Sequence, residues 1–245
     1  MDSGYYAACT AMMTQAQALE LVANNLANSS TTGFRAEHSV FQSLVASSSG
    51  APLSPLNEAA NQYGILQGTR VDSTQGQLEQ TGNPLDLAIE GPGYFVVQTP
   101  NGRLLTRNGN FHVANNQLVT SDGNPVMGEN GVVQIVGAPV SVAPDGTVSV
   151  NGAISGKLKL VELKPGTELQ SAGNTYYSAP QSAEIADTHS TIGQGMLESS
   201  NVNTVSSAVE LISIQRQYDL MRRAMSIFDS QFNKTATEDL PRVSS

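Results

Sequence analysis

The chain has 245 residues, enough for one large domain or two modest ones with a buried core. Charged residues make up 13% and hydrophobic ones 39%, which excludes a disordered chain of low hydrophobicity and high charge. The formal net charge is -9 and the 12 Lys and Arg are scattered, so the concentrated basic footprint that binds nucleic acid is absent.

The first element is a helix. Tyr5, Cys9, Met12, Ala16, Leu19, Ala23 and Leu26 recur at gaps of four and three, which holds an apolar seam on one side of a helix. Asp2 or Ser3 supplies its N-cap. The run Asn28-Ser29-Ser30-Thr31-Thr32-Gly33 competes for backbone hydrogen bonds and ends it. Cys9 lies on the seam and, with no second cysteine to pair with, reads as a small buried hydrophobe. Phe34, Val40, Phe41, Leu44 and Val45 carry a shorter apolar pattern, and residues 1–45 are taken together as an N-terminal helical segment. No basic n-region followed by an unbroken apolar run opens the chain, so no secretory signal is expected. No stretch of about 18 apolar residues is present to insert in a membrane.

Residues 46–63, with Ser47-Ser48-Ser49-Gly50-Ala51-Pro52 and Pro55, read as a linker. From Gly64 the period becomes two. Short strands are expected at Tyr94–Gln98, Arg103–Arg107, Gln117–Thr120, Val132–Val136, Val140–Val142 and Thr147–Val150, and the strongest at Lys157–Leu163. Between them stand Asn101-Gly102, Asn108-Gly109, Asp122-Gly123, Asn130-Gly131, Asp145-Gly146 and Asn151-Gly152. Asn and Asp tolerate positive φ and Gly adopts it freely, so these pairs suit tight hairpins. Residues 64–195 are therefore expected to form a mainly antiparallel β-domain, a meander or sandwich.

Residues 196–245 form the C-terminal helical segment, with Asn201 or Asn203 as its cap. Leu211, Ile214, Tyr218, Met221, Met225, Phe228 and Phe232 repeat the three-four alternation. Val202, Val205, Val209 and Ile212 add a second apolar stripe, and a helix apolar on two sides contacts more than one neighbour. Arg222 and Arg223 read as charges on a solvated face. The fold class expected is α+β, with the two terminal helices packed as a coiled-coil-like pair around a central β-domain.

Catalytic signals are weak. His38, His112 and His189 are far apart and stand in no metal-ligand spacing. There is no nucleophile elbow and no P-loop, and Gly91-Pro92-Gly93 lacks the following helix that would bind a phosphate. Asp86 and Glu90 lie on one face of a strand-like stretch, but such pairs are usually solvated polar positions, and no aromatic sugar platform stands near. Asn28-Ser29-Ser30 and Asn233-Lys234-Thr235 match the glycosylation tripeptide without a secretory context. No enzyme, metal or cofactor is expected.

Three blocks carry a resemblance. Ala23-Asn24-Asn25-Leu26-Ala27-Asn28-Ser29-Ser30-Thr31-Thr32-Gly33-Phe34-Arg35 resembles the N-terminal signature of the flagellar rod and hook protein family. Leu197-Glu198-Ser199-Ser200-Asn201-Val202-Asn203 resembles its C-terminal signature. Thr81-Gly82-Asn83-Pro84-Leu85-Asp86-Leu87-Ala88-Ile89-Glu90-Gly91-Pro92-Gly93-Tyr94-Phe95 resembles its core block. Within the family the details lean to the proximal-rod type, with the distal-rod type as runner-up. The resemblance implies a subunit of the periplasmic rod that transmits torque from motor to hook. It implies export through the flagellar type III apparatus without a cleaved signal, and partners among other rod proteins and copies of itself. The expected assembly interface is Met12, Leu19, Asn24, Asn25, Leu26, Val205, Val209, Leu211, Ile214, Tyr218, Met221, Met225 and Phe228.

Closing the two ends of a flexible chain of this length costs roughly 4–5 kcal/mol. A β-domain whose own ends lie close removes much of that cost. The rival reading is a secreted adhesin or carbohydrate-binding β-protein with helical oligomerisation ends, which would need a pocket with stacking aromatics. A pocket of convergent, pKa-shifted side chains would instead point to an enzyme.

Overall fold

The computed structural model describes residues 2–42, 65–173, 175–185 and 189–238. The expected linker at 46–63 lies outside the described residues, as does the tail beyond residue 238. Two compact units emerge. One comprises Met1–Leu26, Ser39–Thr69 and Thr204–Ser245, and the other comprises Ala27–His38 and Arg70–Asn203.

The first unit is built on helices α1 (Asp2–Ala27) and α2 (Thr204–Glu238). The two helices are in contact, as the paired seams require. Helix α1 stops where the Asn/Ser/Thr cluster begins. Residues 37–42, expected within the N-terminal helical segment, form a strand instead: Glu37–Gln42 pairs with Ile65–Val71. A short apolar run does not distinguish helix from strand by itself, and the pairing partner decides.

The second unit is antiparallel. Its main sheet has six strands in the order Gln170–Ser171, Tyr176–Ser178, Gly102–Thr106, Tyr94–Thr99, Leu160–Leu163, Glu184–Ile185. The strand Tyr94–Thr99 is buried on both faces. Phe95 and Val97 point into one core with Leu87, Ile89, Phe111, Val126 and Val148, while Tyr94 and Val96 point into another with Val71, Leu105, Val161 and Tyr177. A strand covered on both sides has no polar alternation to display, which explains the unbroken run Tyr94-Phe95-Val96-Val97.

Val140–Val142, Thr147–Val150 and Ala153–Lys157 form a three-stranded meander, and Phe111–Ala114 with Gln117–Thr120 a hairpin. Gly102, Gly123, Gly131, Gly146 and Gly152 all take positive φ at the turns expected of them. The hairpin at Asn115-Asn116 has no glycine, yet both residues take positive φ, at 52° and 61°.

The expected strand Lys157–Leu163 is divided. Ala153–Lys157 belongs to the meander and Leu160–Leu163 to the main sheet, with Leu158 and Lys159 passing between them. There the Leu158 amide donates to Gly146 O at 2.8 Å and the Lys159 amide to Met127 O at 3.0 Å. Of the expected strand Val132–Val136, only Val132 lies in a strand, although Val133 and Ile135 are buried in the core.

Candidate assembly surface

On α1 the buried positions are Ala11, Thr14, Val22 and Asn25. Met12, Leu19 and Leu26 are half-buried beside them, while Ala16 and Ala23 are exposed. The packed stripe therefore runs one residue earlier than apolarity alone indicates. Two of its members are polar, and Thr14 can be buried because its hydroxyl donates to Thr10 O at 2.9 Å within the helix. Cys9 is half-buried and free. Asn24 is exposed.

On α2 Ile214 is buried, and Leu211, Tyr218, Met221 and Met225 are half-buried. Phe228 lies within α2, but its side chain is outside the described residues. At about 3.6 residues per turn, Val205, Val209, Ile212, Leu220 and Ile227 fall on the opposite side of the helix. They are between 48% and 72% exposed. Arg216 and Arg223 lie in the same stripe and are also exposed. Five large aliphatic side chains facing water along one helix make a surface built to be covered.

The β-rich unit holds together the chain segments that leave α1 and enter α2. The Gly33 amide donates to Glu198 O at 2.7 Å, and the Asn201 amide to Phe34 O at 3.4 Å. Asn201 is not a helix cap. Its Oδ1 accepts from the Ala36 amide at 2.7 Å, and its Nδ2 donates to Thr74 O at 3.0 Å. Gly33 takes φ 69°, and a Cβ there would collide with the Asn108 backbone, so only glycine admits this approach. The short strands Leu78–Gln80 and Met196–Glu198 pair antiparallel beside this junction.

Buried in this unit is a triad that sequence reading did not single out. Glu198 lies between Arg35 and Arg107, all three no more than 1% exposed. Arg35 Nη2 stands 2.7 Å from Glu198 Oε1, and Arg107 Nη1 donates to Glu198 Oε2 at 3.2 Å. The Gly76 amide adds a bond to Glu198 Oε1 at 2.9 Å. Arg35 Nη1 also donates to Thr74 O, and Arg107 Nη2 to Gly91 O at 2.6 Å. The Arg107 guanidinium sits 4.8 Å from the Tyr94 ring centroid. Burial pulls the Arg107 pKa down from its ordinary value, against the attraction of Glu198. The Tyr177 hydroxyl accepts from the Arg35 amide at 2.9 Å, and burial pushes that phenol well up.

The remaining candidates do not converge. Asp86 is buried and accepts from Thr81 Oγ1 at 2.7 Å and Asn83 Nδ2 at 3.0 Å, so it braces a turn rather than lying on a solvated face. Glu90 is exposed. His38, His112 and His189 are exposed on separate elements. An open cleft of about 670 Å³ includes Glu129, Asp145, Lys157 and His189. Within it Lys157 pairs with Glu129 at 3.1 Å, and bonds from the Thr147 amide and hydroxyl hold the Asp145 carboxyl below the usual range. Tyr94, Phe95, Phe111, Tyr176 and Tyr177 are all buried, which leaves none of these five rings as a platform for a sugar. Among the described residues, no helix is long and apolar enough to cross a membrane.

Three family models match the chain in order. Residues 6–35 match the flagella basal body rod protein model, and 88–150 the flagellar hook protein FlgE/F/G D1 domain. Residues 194–238 match the flagellar basal body rod FlgEFG protein C-terminal model. The chain is 32% identical to a flagellar basal-body rod protein FlgF of Mesorhizobium japonicum, over 94% of this chain and 96% of that one. It is 33% identical to a FlgF of Caulobacter vibrioides, over 99% and 100%. A FlgG of Buchnera aphidicola subsp. Acyrthosiphon pisum is 32% identical over 88% and 92%. The first and last matches cover most of α1 and all of α2, and the middle one covers strands of both β cores. With paired terminal helices, an antiparallel β-region and near full-length relatives in agreement, this chain belongs to the flagellar basal-body rod FlgE/F/G family and is a structural protein, not an enzyme.

Proposed function

We propose that the chain is a proximal-rod subunit that polymerises through its terminal helices into the shaft carrying torque from motor to hook. The observation that carries this reading is the outward stripe of α2. One side of that helix bears the seam, and the opposite side exposes Val205, Val209, Ile212, Leu220 and Ile227. Fully covering one such side chain contributes about 1.5–3 kcal/mol, so a neighbour laid along the stripe gains several such increments at once. Of the expected interface residues, Asn24, Val205 and Val209 are exposed and open to other rod proteins and copies of the chain as partners, whereas Met12, Leu19, Asn25, Leu26, Leu211, Ile214, Tyr218, Met221 and Met225 are buried or half-buried in the single chain. The route out of the cytoplasm is the flagellar type III export apparatus. FlgF-named relatives matched over nearly the whole chain support the proximal rod over the distal one. The test is to delete the gene and isolate basal bodies. Truncated rods lacking this chain, with export blocked when the type III apparatus is inactivated, are expected. Complete rods in the deletion strain would reject the reading.

A further inference from the structure

We propose that the hydrogen-bond network around Asn201 and Glu198 is a mechanical clamp that carries load between the β-rich unit and the chain leading to α1 and α2. Asn201 and Glu198 are its positioning residues. The proposal rests on the rod reading above and says where within one subunit the torque passes. Covalently, α1 continues into residues 28–36, and α2 is entered from residues 198–203. Both stretches are bound by a strap, residues 72–77, that leads into the strand Leu78–Gln80. The strap holds the first stretch through the Asp72 amide, which donates to Ala36 O at 2.8 Å, and through Thr74 O, which accepts from Arg35 Nη1. It holds the second through the Gly76 amide, 2.9 Å from Glu198 Oε1, and through Gln77 O, which accepts from the Ser199 amide at 2.8 Å. Asn201 ties all three together. Its Oδ1 accepts from the Ala36 amide at 2.7 Å, and its Nδ2 donates to Thr74 O at 3.0 Å and lies 3.1 Å from Thr74 Oγ1.

The strap is itself anchored. Gln75 Nε2 donates to Ile89 O at 2.7 Å, and Gln75 Oε1 accepts from the Gly91 amide at 3.3 Å. Gly76 lets the backbones close on each other, since a Cβ there would stand 1.9 Å from Ser199 O. Arg35 on the first stretch faces Glu198 on the second at 2.7 Å, so a pull that separates the stretches must part a buried ion pair. In the two stretches only Phe34 and Ala36 are buried apolar side chains. The hold is therefore polar and directional. Apolar contacts slide at little cost, whereas hydrogen bonds weaken steeply once bent or stretched, and bonds set side by side must break together. Asn201 belongs to neither apolar core, so its bonds serve the junction rather than the packing of the β-rich unit.

The test compares Asn201→Ala and Asn201→Asp with the unmodified chain. Asn201 is half-buried and outside both cores, so both variants should keep the circular dichroism of the original. In the full chain, with Cys9 replaced by serine, handles attached at the exposed positions Ser30 and Thr204 pull the two stretches apart in a force measurement. Asn201→Ala should open about ten-fold faster at a given force. Asn201→Asp keeps the acceptor for Ala36 and loses the donor to Thr74, so its rate should fall between. In cells that depend on the chain for swimming, Asn201→Ala should enter basal bodies in the usual amount and swim in dilute medium. It should stop as the viscosity is raised, at loads where the unmodified chain still turns. An unchanged opening rate overturns the proposal. So does swimming equal to the unmodified chain at every viscosity, and so does loss of the variant from basal bodies, which would make Asn201 a residue of assembly. If the unmodified chain were itself absent from basal bodies, the rod reading would fall, while the force measurement would still decide whether the clamp exists.

Discussion

Glu198 stands between two buried guanidinium groups and answers both, so removing it strands two charges away from water. Glu198→Ala should lower the unfolding free energy of the β-rich unit by about 3–5 kcal/mol, read from chemical denaturation. Replacing all three members by apolar residues, Arg35→Met with Arg107→Met and Glu198→Leu, should recover only part of that loss. The recovery is partial because Thr74 O and Gly91 O lose their donors. A second test at this scale concerns the phenols. Burial raises the pKa of Tyr177 strongly and of Tyr176 less, each against the pull of its hydrogen-bond donors. A raised phenol stabilises the fold fully below the unfolded value near 10 and loses that stabilisation as pH climbs through the folded value. Tyrosinate absorbance should therefore show exposed tyrosines ionising first, and these two only together with alkaline unfolding. Ionisation of all tyrosines near pH 10 without unfolding would contradict it. None of the triad was legible beforehand, because charges are read as surface residues by default. The signal was present in Met196-Leu197-Glu198, where a lone charge closes an apolar strand, and in Arg107, the residue that follows the buried Leu105 and Thr106.

At the scale of elements, the α2 seam from Leu211 to Met225 was legible because apolar residues make it up, whereas the α1 stripe was displaced by one residue because Thr14 and Asn25 belong to it. Turn chemistry located turns at five of the six Asn-Gly and Asp-Gly pairs. At Asn108-Gly109 the glycine does not take positive φ, and the flanking strands Gly102–Thr106 and Phe111–Ala114 belong to different sheets. It also missed Asn115-Asn116, where two asparagines share the left-handed conformation. The division of the 157–163 stretch was invisible for another reason: a change of sheet at Leu158 depends on which strands lie alongside, and alternation is preserved across it. The two faces of α2 make contrasting predictions. Ile214→Asp puts a carboxylate into the packed seam, at a cost of several kcal/mol. The isolated protein should then lose helical circular dichroism while its β signal remains. Val209→Asp lies on the exposed stripe and should leave the isolated protein within about 0.5 kcal/mol of the original stability, yet abolish swimming. If Val209→Asp swam normally, the outward stripe would not be an interface.

The whole molecule couples a self-sufficient β-rich unit to helices whose surface is only half used. Two apolar cores lie within residues 70–203, and the buried triad ties residues 27–38 to them through Arg35. The junction of Gly33, Phe34 and Ala36 with Glu198 and Asn201 brings the chain leaving α1 beside the chain entering α2. That arrangement replaces a closure over nearly the whole chain, costing roughly 4–5 kcal/mol, by one over a few residues. The helices can therefore find each other in a single molecule, but their pairing leaves the outward stripe of α2 exposed. The isolated protein should accordingly be monomeric in dilute solution. Limited proteolysis should cut within the helices first and leave residues 27–38 and 70–203 resistant together, because helices held by one face open locally before a doubly covered sheet does. Sedimentation followed by mass mapping of the fragments would read both outcomes. A dilute monomer whose two helices survived as long as the β-rich unit would mean that their contact alone stabilises them, and that assembly is not needed to complete the fold.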